Sequence, residues 1–174
     1  MSSKQNIDGP IISGLGMLGA NGLESVNVGD IAGFQYNLLT NDLDRVMVLV
    51  QLGHNSSSHM LAYGDKSLLD EEVKMTIKNR FLEPAVLEGD FPDYFKMYCN
   101  PGLQIVLREL FTPDVMANFV DFCRSYDFEL FGEVVYFSRA GDAVDADDQT
   151  TLVSDVTVFL QKNGDLLKRI NPGV

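Results

Sequence analysis

Three carboxylates lie close together in residues 87–95, which have the sequence LEGDFPDYF. Glu88, Asp90 and Asp93 are of the type that a hydrolase uses in pairs for acid–base chemistry, with or without a metal ion. Such a pair needs a set separation and environments that drive the two pKa values apart, and neighbours on one turn do not supply these alone. The competing interpretation is architectural: Gly89 takes an unusual φ, Asp90 caps the turn, and the aromatic residues pack inward. If the string binds a ligand, we expect four contacts: Glu88, Asp90, Asp93 and Tyr94.

A second acidic run is the best candidate for a cation site. Its four carboxylates are Asp142, Asp145, Asp147 and Asp148. Aligned as an EF-hand loop from Asp145, the run has Thr150 where glycine is required and Val156 where the bidentate glutamate belongs. The run therefore fails as that motif. The competing interpretation places Asp147 and Asp148 at the positively polarised start of the last helix.

Both histidines of the chain flank a run of three serines. His54 and His59, with the hydroxyls between them, contain the groups of a nucleophilic or metal-binding site. However, the chain has no GxSxG elbow, and a spacing of five residues is not the i, i+4 pair of a zinc-binding helix. We therefore expect residues 53–58 to form a loop and both histidines to be solvated.

The basic residues cluster in one place, at Lys66, Lys74, Lys78 and Arg80. If this segment is a strand, the last three share one face, which could contact anionic lipid headgroups or a partner. Lysines on an edge strand that deter aggregation explain the same pattern.

Two further motifs argue against a cofactor and against disulfides. Residues 14–19 match GxGxxG, but the residues that follow indicate strand and turn instead of a helix. We therefore expect a glycine-rich loop or edge strand there, and no bound cofactor. Cys99 and Cys123 both have apolar neighbours, and we expect them to be buried, reduced thiols.

Strands dominate the predicted first half. Period-two patterns and apolar runs predict strands at 34–38, 46–52, 60–63 and 82–87. The last of these belongs at an edge or a bulge because Pro84 has no N–H to donate. The segment 67–80 fits a helix or a strand, since apolar residues recur at both periods.

Helices dominate the predicted second half. Residues 103–111 fit a short helix. Thr112, Pro113 and Asp114 then supply the capping, first-turn and dipole preferences of a helix start, and an apolar stripe follows from 115 to 126. Two apolar runs around Gly132 predict a hairpin over 128–137, and helical spacing returns at 152–170. The chain is therefore predicted to be α+β: a mostly antiparallel sheet with two to four helices concentrated in the C-terminal half. We expect a loose segment at 1–9 and a single domain over 10–174.

Composition limits the classes of function. The chain has 174 residues, 45% of them hydrophobic, which suits one domain with a real core and not a disordered chain. The 13 Lys and Arg against 25 Asp and Glu give a net charge of −12, so nucleic acid is not an expected partner. No stretch approaches the ~20 continuous apolar residues of a spanning helix, and we expect a soluble, cytoplasmic domain.

Residues 82–137 contain a distinctive set of motifs: LEGDFPDYF at 87–95, Tyr98, Pro101-Gly102, TPDVM at 112–116 and YDFEL at 126–130. In these motifs the chain resembles an uncharacterised family of bacterial soluble domains. Members of that family often follow transmembrane segments. The resemblance implies an α+β fold, a bacterial origin and an association with the membrane periphery without spanning, and it implies no activity.

Three classes of function remain open. The first is a non-enzymatic structural or protein-interaction domain, with a protein partner or self-association. The second is a small-ligand-binding domain whose pocket lies between the sheet and the helix at 112–126. The third is a metal-assisted hydrolase that uses the carboxylates of LEGDFPDYF.

Overall fold

The computed structural model describes residues 24–40, 45–64, 71–140 and 145–170. Its elements, in chain order, are β1 (Glu24–Ile31), β2 (Phe34–Thr40), β3 (Arg45–Tyr63), α1 (Glu71–Asn79), β4 (Glu83–Ala85), α2 (Phe91–Tyr94), β5 (Lys96–Cys99), α3 (Leu103–Leu110), α4 (Pro113–Cys123), β6 (Asp127–Ala140) and α5 (Ala146–Arg169). The strand pairs are antiparallel, which confirms the predicted α+β class. The described residues form five helices where two to four were expected, and α2 is only one turn long. The predicted loose segment 1–9 and the GxGxxG string lie outside the described residues.

A long two-stranded ribbon forms the centre of the sheet. Strand β3 has 19 residues and β6 has 14, and they pair from Arg45 opposite Ala140 to Ala62 opposite Phe128. The predicted loop at 53–58 and the predicted hairpin at 128–137 were therefore wrong. The register shifts between Gln51 and His59 of β3, which lie opposite Val134 and Phe131 of β6. Within this stretch Gly132, with φ +62°, lies opposite Ser56. Serine, asparagine and glycine there accompany irregular strand pairing and not a reversal of the chain.

The remaining strands attach to the two ends of β3. Strand β2 pairs with its first part, and β1 lies outside β2; β5 pairs with its last part, and β4 lies outside β5. Pro84 therefore stands on an edge strand, as predicted, where a missing N–H breaks no ladder on the outer side.

Side chains on β3 alternate between two separate buried clusters, one on each face of the sheet. Val46, Val48 and Val50 belong to the larger cluster, on the face that we call the helical face, since α2 to α5 contribute to it. Met47 and Leu61 belong to the smaller cluster, on the second face, where α1 packs.

The ambiguous segment 67–80 is helical over its described part. Ile77 of α1 is buried at 4% exposure, whereas Met75 is 62% exposed. In a strand these two side chains would point to the same face, so only the helical period separates them.

Helix α4 carries the aromatic centre of the core. The ring of Phe119 is fully buried and lies 4.9 to 6.0 Å, between ring centroids, from five other phenylalanines: Phe91, Phe95, Phe111, Phe128 and Phe159. The apolar stripe predicted for this helix is confirmed, and it joins α2, α3, β6 and α5 around one side chain. No helix in the described part of the chain has the length and hydropathy to cross a membrane.

Candidate functional site

A groove of about 690 Å³ opens between the segment 87–94 and helices α3 and α4. Its floor and walls are apolar, with Leu87 and Phe111 buried and Met116 and Val120 half-buried. The other lining residues are Glu88, Gly89, Asp90, Tyr94, Arg108, Thr112, Pro113, Ala117 and Asp121. We call this feature the acidic groove, because three of its four charged side chains are carboxylates.

Local sequence explains how the segment 87–94 forms one wall. Gly89 has φ +72°, a conformation that a side chain disfavours, and it turns the chain into α2. Phe91 and Phe95 stack with their ring centroids 5.0 Å apart and hold the segment against the aromatic core. Asp90 stands at the N-cap position of α2, as predicted, but its carboxylate forms no capping hydrogen bond and lies on the groove rim.

The rim charges are exposed and unequal. Glu88, Asp90 and Asp121 stand against a single cation, Arg108, all four exposed to solvent. The net formal charge of the lining is therefore 1 − 3 = −2. An apolar floor below an anionic rim favours an occupant that combines apolar side chains with positive charge.

Of the four predicted ligand-contacting residues, the groove brings together Glu88, Asp90 and Tyr94. Tyr94 is half-buried, and the guanidinium of Arg124 lies 6.0 Å from the centre of its ring. Asp93 is not among the lining residues. The groove lies beside the predicted helix at 112–126, but its opposite wall is the segment 87–94, so it is not the pocket that was predicted between the sheet and this helix.

The acidic run at 142–148 has a structural role in its described part. Asp145 and Asp148 form a capping box at the start of α5: each side chain accepts a hydrogen bond from the other's backbone N–H, at 2.9 and 3.1 Å. Asp148 also pairs with Arg139 of β6. Asp147 lies in the first turn, as expected for the helix dipole, and Asp142 lies outside the described residues. Across the described residues no three His, Cys, Asp or Glu side chains are grouped to hold a metal ion.

His59 contradicts the prediction of a solvated loop. It lies in β3 on the second face of the sheet, is buried, and its Nε2 is 2.7 Å from Oε1 of the fully buried Glu129 on β6. The ring of Phe131 meets the imidazole edge-on at 5.0 Å, and Asn100 hydrogen-bonds the His59 backbone at both its N–H and its carbonyl. The side chain of His54 lies outside the description.

Both thiols are free and buried, as predicted. Burial, and then the charge of Glu83, raises the pKa of Cys99 to about 11. Burial, and then the charge of Asp155, also raises the pKa of Cys123 well above its usual value. Neither thiol is therefore in the ionised form that would make it a nucleophile near neutral pH.

The described basic residues stand on and just after α1. Lys74 and Lys78 are exposed on the helix, Arg80 is half-buried after it, and Phe81 follows with 80% of its surface exposed. A shallower groove of about 510 Å³ lies beside them, between α1, β4 and Tyr98. Because α1 is a helix, the predicted common strand face does not form, and Lys66 lies outside the described residues.

Comparison with known proteins gives one likeness in fold. No protein-family model matches this chain, and no curated protein matches it. Among solved structures, the fold is similar to that in the crystal structure of the mycobacterial trehalose monomycolate transport factor A, TtfA, with a TM-score of 0.53. The two sequences are 10% identical, and the likeness covers 87% of this chain and 75% of that chain. At this level of identity the likeness shows a shared fold alone.

Proposed function

We propose that this domain is a protein-interaction module that binds a segment of another polypeptide in the acidic groove. The observation that carries the proposal is the groove itself, with an apolar floor that includes Leu87 and Met116 under a rim of three exposed carboxylates. The matching segment carries apolar side chains for the floor and lysine or arginine for the rim.

The shape of the groove favours a peptide over a small molecule. Pockets for small molecules bury most of the ligand surface, which requires walls on nearly every side. Here the walls are the segment 87–94, α3 and α4, and the four charged side chains of the lining are exposed to solvent. A groove beside a helix suits the mode in which an amphipathic segment lays its apolar face in a groove.

The electrostatics set the sign of the partner. Glu88, Asp90 and Asp121 attract cations at the groove, and the net charge of −12 extends the attraction beyond it. In this role the carboxylates act through charge and hydrogen bonding and do not transfer protons. The two buried free thiols are typical of a reducing compartment, which supports the cytoplasmic location that we propose.

The test uses two labelled peptides of equal length and helical periodicity, one of leucine and lysine and one of leucine and glutamate. Fluorescence anisotropy should show binding of the Leu/Lys peptide only, and Asp121→Lys should weaken it at least about tenfold. Glu24→Lys on β1 makes the same change of charge outside the groove and should weaken binding much less. Equal weakening by both variants, or no binding of the Leu/Lys peptide, would refute the proposal.

A further inference from the structure

The exposed apolar side chains of this chain differ in their charged surroundings. The large hydrophobic residues that are exposed in the described part of the chain are Val26, Val28, Met75, Phe81, Val86, Ile105 and Val106. Residues 74–81 contain Met75 and Phe81 together with three cations and no acidic residue. Glu71 and Glu72 precede this stretch and Glu83 follows it. The other five exposed residues lie where the sequence has no cluster of cations: Val26 and Val28 between Glu24 and Asp30, Val86 between Glu83 and Glu88, and Ile105 and Val106 before Arg108 and Glu109. Residues 74–81 therefore have the chemistry that the acidic groove selects.

Phe81 is the most prominent residue of this surface. It is 80% exposed and has φ +56°, in the left-handed region that disfavours residues other than glycine. It follows the last turn of α1, where its N–H donates to the carbonyl of Lys78 at 3.1 Å. Phe81 therefore contributes little to the stability of its own domain, because its backbone is strained and its side chain is exposed to solvent.

We infer that residues 74–81 of one copy occupy the acidic groove of a second copy, so that the chain associates head to tail. The inference rests on the proposed function, since it names the partner of the same groove. Phe81 and Met75 supply the apolar contact to the floor, and Lys78 and Lys74 meet the rim carboxylates. Lys74 already pairs with Glu71 at 2.7 Å, and an exposed ion pair of this kind is weak enough to be exchanged.

The contact has to form between molecules. Helix α1 packs on the second face of the sheet through Ile77, whereas the groove lies among the elements of the helical face, beside α4. The sheet therefore separates residues 74–81 from the groove of their own chain. Because the two surfaces differ, the interface is heterologous, and repeated association gives a ring or an open chain of copies.

Sedimentation velocity over a concentration series tests the inference with two variants that each spoil one side. Phe81→Ser leaves the acidic groove intact and disrupts the inserted segment, residues 74–81. Asp121→Lys leaves that segment intact and disrupts the groove. Each variant alone should self-associate at least about tenfold more weakly than the natural chain. Mixed together, they should form a 1:1 dimer that grows no further, because one intact interface remains. Val28→Ser, which removes an exposed apolar side chain from β1, is the matched control and should associate as the natural chain does.

The outcomes separate this inference from the proposed function. If the Leu/Lys peptide binds the groove while the chain stays monomeric at every concentration, the inference fails and the proposed function stands. If the chain associates but mixing the two variants gives no dimer, the interface is not this heterologous one and the inference fails. Association that neither variant weakens also overturns it. Circular dichroism of both variants checks that they fold. Phe81→Gly, which relieves backbone strain, is the second variant that disrupts the inserted segment, residues 74–81.

Discussion

His59 and Glu129 are joined across β3 and β6 by a buried hydrogen bond of 2.7 Å between Nε2 and Oε1. An ionised carboxylate only accepts, so with Glu129 ionised the imidazole donates from Nε2. The two residues are diagonal neighbours, because His59 lies opposite Phe131 and Leu61 lies opposite Glu129. The pair comes directly after the shifted register between Gln51 and His59. A slip of one residue there would move Glu129 to the apolar helical face, so the bond helps to fix how β3 and β6 align.

Loss of one member of this pair should be costly, and loss of both should cost less. We expect Glu129→Met and His59→Phe each to lower the free energy of unfolding by about 3 kcal/mol, because each breaks the buried hydrogen bond between the two side chains. The double variant replaces the pair by apolar side chains and keeps an edge-to-face contact with Phe131, so it should be more stable than either single variant. Urea unfolding of the four proteins measures this. A double variant whose loss equals the sum of the two would show that the residues act independently.

Phe119 should dominate the stability of the core. Its ring is fully buried and contacts five other phenylalanine rings, so Phe119→Ala should cost about 4 kcal/mol. Phe122→Ala is the matched control on the same helix. That ring is half-buried beside Lys162, and its loss should cost about 1 kcal/mol. Urea unfolding measures the loss of free energy of unfolding in each variant. Similar losses for both variants would contradict the prediction that Phe119 contributes more than Phe122 to the stability of the core.

Phe81→Gly should stabilise the fold although it removes a large side chain. Glycine adopts the observed φ of +56° without a Cβ penalty, and the phenyl ring loses little because it is 80% exposed. We expect a gain of about 0.5 to 1 kcal/mol at a protein concentration low enough to keep copies apart. Thermal unfolding of Phe81→Gly and Phe81→Ala distinguishes the causes, since alanine removes the ring and retains most of the backbone strain. A loss of stability with glycine would mean that the ring packs in the folded monomer.

Asp145 should matter through its cap. Asp145→Ala removes a capping hydrogen bond at the start of α5 and should cost about 1 kcal/mol. Asp147→Ala, two residues on, loses only a favourable dipole interaction and should cost about 0.5 kcal/mol. Calcium should leave the unfolding midpoint of the natural chain unchanged, because Asp145 and Asp148 are already engaged with each other. A midpoint that rises with calcium and no longer does so in Asp145→Ala would instead support the cation site at 142–148.

The sequence predicts what is set locally and misses what is set by distant pairing. The start of α4 was predictable because Thr112 and Pro113 carry the preferences of a helix start within two residues. The strand at 53–58 was not, because its serines and asparagine are typical of a loop, and only pairing with β6 makes it a strand. The bond of His59 to Glu129 joins residues 70 positions apart. Glu129 between apolar neighbours signals a buried charge that needs a partner, but no local pattern says which one.

The residues of the acidic groove also fall into those that the local sequence predicts and those that only packing brings to the site. Glu88, Asp90 and Tyr94 belong to one distinctive string and were predicted as ligand contacts. Asp121 and Met116, which form the other side, look like ordinary residues of an amphipathic helix. Packing of α4 against the 87–94 segment, through Phe119 and its aromatic neighbours, is what makes them part of one site.

Alkaline pH should destabilise the fold partly through Cys99. Its pKa rises from 9.0 to about 11 on folding, since burial and then Glu83 disfavour the thiolate. Between these values the folded chain holds a proton that the unfolded chain has released, so stability is complete below pH 9 and falls as pH rises towards 11. From pH 8 to pH 10 this group should remove about 1 kcal/mol from the free energy of unfolding. Cys123 and Tyr126, whose pKa values are also raised by burial, add to the same fall. Urea unfolding at both pH values should therefore show a smaller decrease for Cys99→Ala than for the natural chain, whatever the variant costs at pH 8. An equal decrease in the two proteins would mean that Cys99 ionises as readily in the folded state as in the unfolded one.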